Sequence, residues 1–149
     1  MGRSQEGQVL AFFAILLPIV LLPVAAYAVD AAFVSTRAAS LQEATAQAAE
    51  AAAQQVDVTA LRSRSMLVID TATAVALAND ELRRSVPGAK VESVVVVGAQ
   101  VTLITAEVVT LPFNFLPASS IRLEARASAR LVGGYDSPSS RLPLPTSTF

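Results

Sequence analysis

Residues 9–29, VLAFFAILLPIVLLPVAAYAV, contain no charged side chain. As a helix this run would extend roughly 30 Å, about the thickness of a bilayer's hydrocarbon core. It predicts a membrane-spanning helix. The competing arrangement, a core helix buried on all sides, needs more surrounding protein than a chain of 149 residues supplies. Pro18 and Pro23 each remove a backbone donor and predict a bend, which membrane helices accommodate by local adjustment. Hydrophobic residues make up 53% of the chain and charged residues 15%, against roughly 45–50% and 25% in ordinary soluble domains. The surplus lies in this run.

Beyond it there is room for one small domain. The net charge of -1, without a block of like charges, gives no electrostatic reason to expect a nucleic-acid partner. Cysteine and histidine are absent, which removes thiolate nucleophiles, disulfides, the usual zinc ligands and the commonest general acid-base side chain. An enzyme reading would use carboxylates such as Asp70, Asp80 or Glu81, but their spacing is that of a solvated helix face. No Gly-rich phosphate loop or nucleophile elbow accompanies them. The expectation is a non-enzyme with no catalytic residue, no cofactor, no metal and no small-molecule substrate.

Arg3 precedes the run while Asp30 and Arg37 follow it, so the positive-inside rule votes only weakly on orientation. The short flank, residues 1–8, is read as cytoplasmic and the rest as exported from the cytoplasmic membrane. A cleaved signal peptide is the alternative, with Ala26-Tyr27-Ala28 as an A-x-A site and Ala28 as the last residue removed. The run is longer than a typical signal core and passes directly into more helix-forming sequence, which favours the anchor.

Residues 30–56 are rich in alanine, glutamine and glutamate and lack glycine and proline, so the helix is expected to continue beyond the membrane. Val34, Ala38, Leu41, Ala48 and Ala52 fall near one face, suited to packing on this domain or on a neighbouring subunit. The head spans residues 57–132. Asp57 is an N-cap for a second helix running to about Ser85, with Leu61, Val68, Ala72, Val75, Ala78 and Leu82 at helical spacing. Pro87-Gly88 ends it, and Arg83 and Arg84 complement its dipole.

KVESVVVV, Gly98-Ala99 and QVTLITAEVV read as a β-hairpin with glycine at the first turn position. Residues 121–132 alternate, Ile121, Leu123, Ala125, Ala127, Ala129 and Leu131 facing one way and Arg122, Glu124, Arg126, Ser128 and Arg130 the other. This predicts a third, half-buried antiparallel strand whose arginines pair with cross-strand acids such as Glu107. In the loop before it, Phe113, Phe115 and Leu116 either close the small core or meet the bilayer or another subunit. Together with Arg122, Arg126 and Arg130 they are the candidate interaction surface. Residues 133–149, rich in Gly, Pro, Ser and Thr, read as a flexible tail. The fold class is therefore α+β: a long N-terminal transmembrane helix extending into a small exported domain with a second helix and a three-stranded antiparallel sheet.

Gly7-Gln8 opens the apolar helix, Ala28 to Asp30 closes it, and Arg37, Leu41 and Gln42 lead into the alanine-rich run, and in this arrangement the N-terminal stretch resembles that of TadE/TadG-like proteins of the tight-adherence (Flp, type IV-related) pilus assembly system. The valine-rich hairpin, the Pro-Phe-Leu loop and the Leu-x-Ala-x-Ala strand are similar to the exported part of small pseudopilin-like members. The resemblance implies a single-pass structural component of the bacterial envelope, with the lipid bilayer and pilin-like subunits or a pilus secretion platform as partners. It also raises processing by a prepilin peptidase, which cuts after a glycine with a glutamate five residues beyond. Gly2 has Glu6 four residues on, and Gly7 has Phe12 at the glutamate position.

Overall fold

A computed structural model describes residues 4–64, 68–113 and 119–131. Helix α1 covers Ser4–Ala53, α2 Val58–Arg64 and α3 Thr71–Ser85; strands β1 (Lys90–Val97), β2 (Gln100–Thr110) and β3 (Ser120–Arg130) follow. The strands form an antiparallel meander in the order β1-β2-β3. The α+β class is as expected, with two further helices in place of one.

Helix α1 continues through Pro18 and Pro23 for 50 residues, about 75 Å at 1.5 Å per residue. Its two halves differ in what they touch. Residues 9–29 contribute nothing to the core, whereas Leu41, Ala44, Thr45, Ala48, Ala49, Ala52 and Ala53 are all buried. That stripe packs against α3, β2 and β3, so the small-residue face found in the sequence serves this domain's own core. Alanines on both sides bring helix and sheet close: Ala125 is buried, and Ala127 and Ala129 pack on the core from the same face of β3. Leu41, Leu82 and Leu103 are the largest fully buried apolar side chains, each contributing roughly 1.5–3 kcal/mol.

The helix expected from Asp57 to Ser85 is two helices. Val56 and Ile69 form an isolated antiparallel bridge. The Asp57 amide donates to the Val68 carbonyl, and the Asp70 amide to the Gln55 carbonyl, both at 2.9 Å. These backbone groups are thereby taken from a continuous helix. Asp57 does cap α2, its Oδ1 accepting from the Thr59 and Ala60 amides. Asp70 caps α3 in the same way, accepting from the Ala72 and Thr73 amides and from the Thr73 hydroxyl. The Thr73 hydroxyl, ahead of the two amides, holds the Asp70 carboxyl below its ordinary pKa. Helix α3 ends at Ser85, just before Pro87-Gly88, and buries Ala74, Ala78 and Leu82.

The hairpin turns at Gly98, whose φ of 59° is a left-handed value that costs other residues about 1–2 kcal/mol. Strand β1 carries a register shift between Val91 and Ser93. Because side chains alternate, the extra residue Glu92 lets Val91 share the inner face with Val94 and Val96. Strand β3 pairs with β2 from Ser120 to Arg130; the expected end at Val132 lies outside the described residues.

Candidate interaction surfaces

The projecting half of α1 is the most distinctive surface of the described chain. Leu10, Phe12, Phe13, Ile15, Ile19, Leu22 and their neighbours are exposed, far beyond the patch of a few hundred Å² usual for a soluble monomer. This helix is long and apolar enough to cross a membrane. Where the run ends, Asp30 is 0% exposed, and its Oδ1 accepts the Phe113 amide at 3.0 Å. The β2–β3 connection is thus tied to α1 one residue past the apolar run. Leu111, two residues earlier, is buried, while Phe113 is 58% exposed. At Phe113 the loop does not close the core; its buried apolar residue is Leu111. Phe115 and Leu116 lie outside the described residues.

Arg122, Arg126 and Arg130 are exposed together on the outer face of β3, at the two-residue alternation expected. Their pairing differs from the expectation. Glu107 is not a partner of this row: it stands opposite Leu123, is 5% exposed, and faces Arg37 of α1 at 3.9 Å. The reason is parity, since Val101, Leu103, Thr105, Glu107 and Val109 all fall on the inward side of β2. Arg122 pairs with Glu92 instead, across the β2 strand between them. Among the described residues, Arg122 is the member of the row that has an ion pair.

Other polar groups lock the two layers together. The Thr45 hydroxyl donates to the Leu41 carbonyl and lies 2.6 Å from the Thr105 hydroxyl. Gln42 Nε2 donates to the Arg126 carbonyl at 3.0 Å, satisfying an acceptor on the free edge of the sheet. Arg37 also stands over the Phe33 ring, 5.8 Å from its centroid.

The three carboxylates named for an enzyme reading each have structural partners. Asp70 is a helix cap, and Asp80 and Glu81 both pair with Arg84. No group of three or more acidic, His or Cys side chains suited to a metal occurs among the described residues. A shallow open groove of about 420 Å³ lies between Glu50 and Ala53 of α1, Gln54 just beyond it, and residues 128–131. It brings no acid-base pair together. Of the processing positions, Gly7 lies in the first turns of α1 and Ala28 is exposed in mid-helix, and Gly2 is outside the described residues. Sequence reasoning missed Asp30 and Arg37 as docking residues. A buried-looking acid straight after an apolar run was the available signal for the first.

No family model, curated protein or solved structure matches this chain.

Proposed function

We propose that this protein is a membrane-anchored, non-catalytic structural component, a minor pilin or pilus-assembly protein of a Tad/Flp-type system. Its N-terminus is cytoplasmic and its head exported. The observation that carries the reading is the division of α1: an apolar half that contributes no core residue among the described residues runs without interruption into an alanine-rich half at the centre of the head's core. A rigid rod joining bilayer to head transmits position and force, which suits a scaffold subunit. In this arrangement the apolar half is free to pack against apolar helices of other subunits, and the arginine face of the sheet supplies a polar contact.

The N-terminal resemblance supports the assignment to a pilus system, and the structural commitment of Asp70, Asp80 and Glu81 supports a non-catalytic role. The test is affinity capture of the full chain from detergent-solubilised envelopes of its host. Recovery of apolar-helix subunits or secretion-platform proteins is expected, and repeated capture of the chain without them would overturn the pilus assignment.

One observation favours a second reading, a secreted envelope-binding domain released by cleavage after Ala28. Since residues 9–29 supply no core residue, such a cut would leave the head's packing in place. The intact mass of the protein from separated membrane and soluble fractions distinguishes the two. A full-length chain, or one trimmed at Gly2 or Gly7, in the membrane supports the anchor; a soluble chain beginning at Val29 supports the secreted domain.

A further inference from the structure

We infer that the Phe113 turn is a second membrane contact, a ring held at the lipid headgroup–acyl boundary that fixes how the head sits on the bilayer. The inference rests on the anchor reading given above. Three observations carry it. The tie between Phe113 and Asp30 falls one residue beyond the uncharged run. When residues 9–29 fill the hydrocarbon core, their helical length of about 30 Å leaves Asp30 at its edge. The Phe113 backbone is therefore held at the same depth.

The second observation is the contrast within the turn. Leu111 is 3% exposed and roots the connection in the head, whereas Pro112 and Phe113 are exposed. A large ring left outward two residues from a buried leucine is not filling the head's interior. The third is the setting of Asp30 itself. A carboxylate at the end of an apolar run needs donors to remain there, and the Phe113 amide is one that only this turn brings. The hydrogen bond thus couples burial of the acid to placement of the ring. Tyr27, exposed one turn earlier on α1, is an aromatic side chain at the level where such residues gather.

The occupant is a lipid surface, because Pro112 and Phe113 are uncharged and the Asp30 hydrogen bond ties them to the end of the apolar run. One contact lets a head swivel about its helix; a second, off the helix axis, restricts tilt and rotation. The head would then present its arginine face in a fixed orientation relative to the membrane.

The chain contains no tryptophan, so single substitutions report depth. Full-length Phe113→Trp, Val97→Trp and Leu16→Trp chains are reconstituted in phosphatidylcholine vesicles brominated at shallow acyl positions, at several protein-to-lipid ratios. Leu16→Trp reports the anchor, and Val97→Trp reports the exposed end of the hairpin. Phe113→Trp emission is expected to be blue-shifted and quenched severalfold more than that of Val97→Trp, at every dilution. Adding Asp30→Ala to Phe113→Trp should reduce that quenching, and Asp30→Asn, which keeps an acceptor, should reduce it less. Quenching of Leu16→Trp with none beyond the Val97→Trp level at Phe113 would leave the anchor standing and overturn the second contact. Blue-shifted Phe113→Trp emission that ignores bromine, or reverts on dilution into lipid, would place a second copy over the ring and overturn it too. An unquenched Leu16→Trp would remove the anchor, and this inference with it.

Discussion

The side-chain hydroxyls of Thr45 on α1 and Thr105 on β2 meet at 2.6 Å inside the core, 60 residues apart in sequence. Thr45 donates its proton to the Leu41 carbonyl, so the proton between the two hydroxyls belongs to Thr105. Both side chains are fully buried. The pair fixes where helix lies on sheet, and it sets an asymmetric expectation.

Thr45→Val strands the Thr105 donor and should destabilise the head by about 1–3 kcal/mol. Thr105→Val removes the donor and leaves Thr45 its carbonyl partner, so it should cost less. The double variant should be more stable than the sum of the two single losses predicts, with a coupling on the order of 1 kcal/mol. Denaturant unfolding of the four chains in detergent measures the cycle; strict additivity would show that the hydroxyls do not interact.

Arg37 compensates a buried acid. Glu107 Oε2 has no hydrogen-bond partner among the described residues, and Gly88 leaves little spare room beside it, since a Cβ there would stand 3.2 Å from Glu107 Oε1. Arg37→Met should therefore destabilise by about 1–3 kcal/mol, below the usual cost of breaking a buried pair because the arginine is half in water. Adding Glu107→Gln should recover much of the loss. Thermal midpoints of the single and double variants decide it; equal midpoints for wild type and Arg37→Met would refute the role.

Asp70 gives a pH dependence with a definite sign. Its folded-state pKa lies below the ordinary value of 3.8. The cap's contribution is therefore complete above that value and is lost as pH falls through the lower folded value. Asn is as good an N-cap as Asp and does not titrate. Asp70→Asn should match wild type at neutral pH and lose less stability on going to pH about 3. Parallel acid profiles for the two chains would contradict this.

The long apolar run was legible because composition alone defines it, and the third strand because its period of two persists from Ile121 to Arg130. The hairpin was legible from Gly98, the position that requires a positive φ. The break between α2 and α3 was not. Leu61, Val68, Ala72 and Val75 keep a helical period on paper, but the bridge of Val56 to Ile69 is a tertiary pairing that no local window contains. The residues buried in α3 are Ala74, Ala78 and Leu82, so the stripe was read partly out of phase. Glu107 was misplaced because its charge suggested a solvated face, whereas its parity with Leu103 and Thr105 pointed inward. The partner of Arg122 depended on the bulge at Glu92, which turns on pairing with a neighbouring strand. The tie between Asp30 and Phe113 joins residues 83 apart in sequence, and only the fold brings them together.

In the proposed topology α1 crosses the membrane with the head outside. The chain has no cysteine, so Ser4→Cys and Val97→Cys can each be introduced alone and exposed to a membrane-impermeant maleimide in spheroplasts of the host, before and after permeabilisation. The account predicts that Val97→Cys is labelled in intact spheroplasts and Ser4→Cys only after permeabilisation, with both chains in the membrane fraction. Labelling of Ser4→Cys from outside, protection of Val97→Cys, or recovery of a soluble chain would contradict it.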